Sequence, residues 1–219
     1  MAALLLATNI HKSYGSTKVL NGVDLKVQKG EIICLMGLSG AGKSTLLHIL
    51  GLLDTADSGK ILLDDLDYAT LRNNKAANCR NQHIGFIFQS HCLLPEFSAI
   101  ENVAIPAMIG GISKKIALAK SEKLLERLGL QNRLLHRPNE LSGGEQQRVA
   151  VARALINEPK IVLADEPSGN LDMENALSLH QLFIDLRNDL QQTFIIVSHN
   201  PELAKLADNI VVLQRGRIT

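Results

Sequence analysis

The sequence has no tryptophan, only two tyrosines and five phenylalanines, so any core it builds must be aliphatic. Cysteine is scarce too: Cys34, Cys79 and Cys92 form an odd, widely spaced set without a CxxC pair. That argues against a disulfide framework or a zinc site and suits a reducing compartment. Cys34 lies inside the apolar run 32–36 and reads as a small buried hydrophobe. No apolar run approaches the roughly 18 residues that a membrane-spanning helix needs, so none is expected. The apolar start from Met1 to Ala7 is short and lacks a basic n-region, so no signal peptide is expected. An excess of one charge is missing as well, with 23 basic against 22 acidic residues and a formal net charge of +1. No strong field draws the chain to nucleic acid or to an anionic bilayer. The densest basic pair, Lys114-Lys115, reads as a solvated helix start.

What is present is an ordinary globular composition over 219 residues, 46% hydrophobic and 21% charged. The length suits one large domain, or one domain with an inserted subdomain, and can bury a sizeable core. Strand patterns cover 20–27, 32–36, 60–63, 84–88, 161–164, 194–198 and 210–213, with a turn at 57–59. Helical spacing covers about 43–53, 99–128, 144–156, 173–190 and 201–206. Within 99–128, Pro106 and Gly110-Gly111 predict at least two helices. Strands alternating with helices predict an α/β fold with a parallel sheet and right-handed crossovers. The stretch from about 90 to 157 reads as a helical subdomain inserted into that rhythm. No internal repeat and no low-complexity segment interrupts it.

Gly37-Leu38-Ser39-Gly40-Ala41-Gly42-Lys43-Ser44-Thr45 fits GxxxxGK[ST] between a buried strand and a helix, the context that pattern requires. Its glycines let backbone N–H groups converge on phosphate oxygens, and the helix N-terminus adds partial positive charge. Lys43 is placed to reach the β and γ phosphates, and the Ser44 hydroxyl to ligate Mg²⁺. The strand 161–164 runs into Asp165 and Glu166. Beside a phosphate loop those carboxylates suit a metal-holding aspartate and a general base for water. A guanine-reading NKxD is missing, because Asn74-Lys75 continues as Ala76-Ala77. GTP specificity therefore has no support.

Leu141-Ser142-Gly143-Gly144-Glu145-Gln146 precedes a helix. Locally, Ser142 is an N-cap with Glu145 as its capping-box partner, and two glycines make the helix start a second anion site. With this segment the chain resembles the ABC ATPase family, and the resemblance covers essentially the whole sequence. It implies an α/β P-loop NTPase of ABC type. The expected parts are a RecA-like, mostly parallel sheet core with an N-terminal antiparallel β subdomain, over about 1–89 and 158–219, and a helical subdomain over about 90–157. It implies ATP and Mg²⁺ as ligands. It also implies a homodimer sandwiching two ATP, each between one chain's phosphate loop and the partner's Ser142, Gly143 and Gly144. Tyr14 stands where the family stacks an aromatic on adenine, and Gln89 where a glutamine touches Mg²⁺ and senses the γ phosphate. Ser168-Gly169-Asn170-Leu171-Asp172 matches the segment that crosses the dimer interface, and His199 the histidine that contacts the γ phosphate.

Three stretches, 89–103, 136–141 and 166–172, resemble the branch of the family that releases lipoproteins in bacteria with an outer membrane. That implies integral inner-membrane partners and a peripheral place on the cytoplasmic face. Relatives serving macrolide efflux, or acting as a non-transport switch in cell division, share the third stretch and remain alternatives. Ala41, Ser168 and Asn200 stand where Ser, Thr and Asp are commoner, but none of these departures removes a catalytic group. An ATPase acting on DNA or ribosomes is disfavoured by the charge balance and by the lack of a second ATPase half or a coiled-coil insert.

Overall fold

A computed structural model describes residues 3–71 and 74–219, so Met1 and Ala2 of the apolar start lie outside it. The chain opens with β1 (Leu5–Tyr14), β2 (Thr17–Val27) and β3 (Ile32–Met36), and then α1 (Lys43–Leu50). Strands β4 (Ser58–Leu63) and β5 (Leu66–Asp67), helix α2 (Asn74–His83) and β6 (Ile84–Phe88) follow. Helices α3 (Ala99–Ile109), α4 (Lys114–Arg127) and α5 (Gly143–Leu155) come next. The chain ends with β7 (Ile161–Asp165), α6 (Met173–Leu190), β8 (Thr193–Val197), α7 (Pro201–Leu206), β9 (Asn209–Gln214) and β10 (Arg217–Ile218).

Two sheets result. One is antiparallel, in the order β2-β1-β4-β5; the other runs β10-β9-β3-β8-β7-β6, with all pairs parallel except β9–β10. Strands β3, β7 and β8 are covered on both faces, as continuous apolar runs require, while β9 leaves Ile210 and Val212 exposed. Alternate residues therefore feed two cores. Val162, Ala164, Phe194 and Ile196 join the core beneath α3–α6, while Ile161, Leu163, Ile195 and Val197 join the core that holds α1 and the antiparallel sheet. Both cores are aliphatic apart from a few rings such as Phe183 and Phe194, whose centroids lie 5.2 Å apart.

The structure corrects the sequence reading at several elements. Strand β1 belongs to the expected N-terminal antiparallel subdomain, but its bounds were not read, since its pairing shifts register between Ala7 and Ile10 and Asn9 has φ 52. Helix α2 was not expected; it is polar and has one buried residue, Cys79, so it shows no apolar stripe. Ser58 and Gly59, placed in a turn, pair as the start of β4. Pro106 does not break a helix but lies inside α3, and the break falls at Gly110-Gly111 alone. An interior proline costs about 3 kcal/mol. Full burial of Ala99, Val103, Ala104 and Ala107 against α4 and α5 offsets it. A short antiparallel β10 follows the strand taken as the last one.

The topology places four chain segments at one edge. Strands β3, β6, β7 and β8 are mutually parallel, so the loops after Met36, Phe88, Asp165 and Val197 leave the same side of the sheet. Ligands bind at that carboxyl edge in open α/β sheets.

Candidate active site

The loop between β3 and α1 wraps back on its own lysine. Lys43 Nζ donates to the carbonyls of Gly37 at 2.8 Å and Leu38 at 3.1 Å. Helix α1 starts at Gly42, with φ 100, no side-chain cap and no acidic residue in its first turn. A side chain at that φ is disfavoured, and a Cβ there would crowd Val19 O at 3.0 Å. The first-turn N–H groups are therefore left without side-chain partners from the cap position, as an anion cradle requires.

Around this loop lies a cleft of about 730 Å³. Gly37, Ser39, Gly40, Gly42, Lys43, Ser44 and Thr45 line it from the loop and α1. Tyr14 comes from the end of β1, Gln89 from the end of β6, Asp165 and Glu166 from β7, and His199 from beyond β8. Leu38 and Ala41 are not among the lining residues; the Leu38 side chain is 78% exposed. Ser142, Gly143 and Gly144 do not line the cleft either.

Glu166 is held in several ways. Its backbone has φ 46, its N–H donates to Val197 O at 2.9 Å, and its carbonyl accepts from Gly169 N at 3.0 Å. Its carboxylate meets His199 Nδ1 at 2.9 Å, with the glutamate side chain 19% exposed and the histidine 77%. This left-handed backbone, at a residue that lines the cleft, is a strain that functional sites commonly store. Behind it, burial and then the Glu166 charge push the Cys34 thiol up to about 11, so Cys34 stays a neutral, packed thiol.

Gln89 is linked to the stretch 168–172. Its Nε2 donates to Asn170 Oδ1 at 3.3 Å, and Asn170 Nδ2 returns a bond to the Gln89 carbonyl at 3.0 Å. Ser168 meets the fully buried His180 of α6 at 3.1 Å. Burial lowers the His180 pKa, which keeps the ring neutral. Ser44, Gln89 and Asp165 together offer a hydroxyl, an amide oxygen and a carboxylate at one edge of the cleft, a hard oxygen set that fits Mg²⁺.

Helix α5 begins differently. Ser142 Oγ accepts from Glu145 N at 3.2 Å, Glu145 accepts from Ser142 N at 2.8 Å, and Arg133 donates to Glu145 at 2.8 Å. The Ser142 N–H and then Arg133 hold the Glu145 carboxyl below its ordinary value. Ser142 and Gly143 are exposed.

Sequence reasoning missed two residues of α5. Arg153, read only as part of a helical pattern, donates to the carbonyls of His91 at 2.7 Å and Cys92 at 2.6 Å. Both of those residues have left-handed backbones, φ 59 and 51. Gln147, buried on the same helix, bonds to the His91 ring. Thus the segment after Gln89 is clamped to the helix that begins at Ser142. No sequence signal marks this, because the acceptors are backbone carbonyls.

Comparison with known proteins adds to this geometry. Residues 20–169 match the ABC transporter family. The chain is 57% identical over 218 residues, covering 100% of both proteins, to the lipoprotein-releasing system ATP-binding protein LolD of Cytophaga hutchinsonii. It is 53% identical over 209 residues, 95% of this chain and 97% of the relative, to the LolD protein of Bacteroides fragilis. Among solved structures it resembles the dimeric ATP-binding cassette MJ0796 in a post-hydrolysis state bound to ADP and Pi, with a TM-score of 0.88, 34% identity and coverage of 98% and 96%. It also resembles cbiO1 of Clostridium perfringens, part of an ABC transporter complex, with a TM-score of 0.90, 26% identity and coverage of 100% and 88%.

Proposed function

The chain belongs to the ABC transporter family, and from that premise we propose that it is the ATP-hydrolysing subunit of a complex that releases lipoproteins from the inner membrane toward the outer membrane. The observation that carries the ATPase chemistry is the convergence of Lys43, Ser44, Gln89, Asp165, Glu166 and His199 on one cleft from four strand ends. Near full-length identity to lipoprotein-releasing ATPases supports the cargo.

In this reading, the N–H groups of the glycine loop and of the first turn of α1 bind the phosphates of ATP. Lys43 exchanges its loop carbonyls for β and γ phosphate oxygens. Ser44, Gln89 and Asp165 hold Mg²⁺, which when bound supplies positive charge against the phosphates. Glu166 takes a proton from the attacking water, and His199, already hydrogen-bonded to Glu166, orients that pair against the γ phosphate. Tyr14 stacks on the adenine.

Ser142, Gly143 and Gly144 serve the nucleotide of a second copy. The exposure of Ser142 and Gly143 at the start of α5, and the dimeric state of the structural relative MJ0796, support this arrangement. The helical region over about 90–157 is a subdomain set on the core over 1–89 and 158–219. Integral inner-membrane partners dock where the segment after Gln89 exposes Leu94 and Phe97, each 40% accessible, with Leu93 half-buried beside them. A groove of about 450 Å³ lined by Phe86, Phe88, Cys92 and Ile109 adjoins that segment. The chain then works peripherally on the cytoplasmic face; among its described residues no helix is long and apolar enough to cross a membrane.

Depleting the protein in cells and fractionating the membranes tests the cargo. The expected outcome is that outer-membrane lipoproteins accumulate in the inner membrane. If they still reach the outer membrane while macrolide efflux or septation fails, the efflux or division reading replaces this one.

A further inference from the structure

Tyr14 closes β1 with its ring half exposed, a position in which an aromatic side chain would ordinarily sample several rotamers. Here it does not stand alone. Its hydroxyl donates to Asp54 Oδ2 at 2.5 Å. Asp54, in the loop after α1, accepts from Lys12 Nζ at 2.8 Å and from Thr55 N at 2.6 Å through its other oxygen. Lys12 donates a further bond to the Thr55 carbonyl at 2.7 Å, and its ammonium lies over the Tyr14 ring, 5.0 Å from the centroid. Lys12 is 8% exposed and does not line the cleft, whereas Tyr14 does. Two further bonds fasten the same strand end to the same loop: Ser13 N donates to the Asp57 side chain at Oδ2 at 2.7 Å, and Asp57 N donates to His11 O at 2.9 Å. The protonation states agree. Burial alone would raise the Asp54 carboxyl, but the hydrogen bonds of Lys12 and Tyr14 outweigh it and hold the group below its ordinary value. The same carboxylate raises both the Lys12 ammonium and the Tyr14 phenol.

From this cluster we propose that Asp54 and Lys12 are positioning residues that pre-set the Tyr14 ring as a nucleobase platform. The proposal rests on the reading of Tyr14 as the aromatic that stacks on the base. An immobilised ring loses little freedom when the base arrives, so the affinity gained on stacking is not spent on ordering the side chain. Because the hydroxyl is committed to Asp54, the platform offers the base a flat π face rather than a hydrogen bond to one edge. The side-chain hydrogen bonds of Asp54 and Lys12 go to Tyr14, Thr55 and each other, so their effect should reach the nucleotide through the ring.

The test compares ATP with ribose 5-triphosphate, which keeps the phosphates and lacks the base. Tyr14→Ala is expected to raise the KM for ATP about tenfold, within the range of one base–aromatic stack, and to leave the KM for ribose 5-triphosphate unchanged. Asp54→Ala and Tyr14→Phe are each expected to raise the KM for ATP about 2- to 10-fold, with kcat and the ribose 5-triphosphate KM held. Combined, they should cost little more than Asp54→Ala alone, since that variant already removes the Tyr14–Asp54 bond along with those from Lys12 and Thr55 N. Asp54→Asn, which keeps an acceptor for the phenol, should recover most of the loss. If Tyr14→Ala does not change the preference for ATP over ribose 5-triphosphate, the platform reading itself is wrong. If Tyr14→Ala changes it and Asp54→Ala does not, the platform stands and the positioning proposal is overturned. Equal losses on both substrates in Asp54→Ala would mean a general disturbance of the loop, and would also overturn it.

Discussion

Glycines mark the starts of both α1 and α5, buried Gly42 at one and exposed Gly143 at the other, yet their first turns are finished in opposite ways. At α1 the cap is Gly42, no side chain accepts from the first turn, and no acid is placed there. At α5, Ser142 and Glu145 satisfy each other's backbone donors, and Arg133 is committed to Glu145. Every helix start leaves four N–H groups unpaired. Helix α1 keeps them for a ligand and adds its own cation, Lys43. Helix α5 uses part of that capacity on itself and presents the remainder, beside Gly143, to solvent. In the proposed reading, one terminus is a complete anion site within the chain, and the other acquires a use when a second copy brings the anion.

The largest effect should come from breaking the complete site. Lys43→Ala is expected to lower ATP turnover about 10²- to 10³-fold, the scale for losing one electrostatic clamp in a transition state. Phosphate release from the complex measures it. Thermal unfolding supplies a second reading: ATP should raise the Tm of the wild type by mass action and do so much less for the variant. Unchanged turnover would remove α1 as the cradle and dissolve the contrast.

A middle-sized effect is expected at α5. Ser142→Ala removes the cap and should cost about 1 kcal/mol of stability. ATP affinity of the monomeric chain should stay the same while turnover in the assembled complex falls several-fold. If monomer affinity fell as well, α5 would serve the nucleotide of its own chain and the comparison would fail.

The smallest effect sharpens the picture of how α5 caps itself. The Glu145 carboxyl is held below its ordinary value by the Ser142 N–H and then Arg133. Its folded pKa lies under the unfolded one, so its contribution to stability is present above the unfolded value and is lost as pH falls through the folded one. Glu145→Gln should therefore be less stable than the wild type at pH 7 by under about 1 kcal/mol, given the partial exposure of the pair. The gap should close as the pH drops below about 4. Denaturant melts at both pH values measure it, and a gap that does not narrow would show that the carboxylate's charge is not what caps the helix.

Much of this was legible because it is contiguous. Strand β3, the glycine loop and α1 follow one another, so period, glycine spacing and Lys43 announce the cradle without any distant contact. The same holds for the Ser142–Glu145 box, for Asp165 and Glu166 at the end of an apolar run, and for α6 and α7, whose bounds match the expected 173–190 and 201–206. Where local signals were weak, the reading lost detail or failed: the bounds of β1 are blurred by an irregularity, α2 has no stripe, and Pro106 is tolerated because of what packs around it.

By itself, then, the sequence marked the residues for which phosphate chemistry is proposed and most of the helices and parallel strands that hold them, since short-range periodicity and capping act over a few residues. Tertiary structure alone decided the pairings: Glu166 with His199, Gln89 with Asn170, Arg153 with the backbone at 91 and 92, and Asp54 with Tyr14. Each joins groups 33 to 81 residues apart in the chain. Such contacts leave no periodic trace, because they arise only when the sheet brings separate loops to one edge.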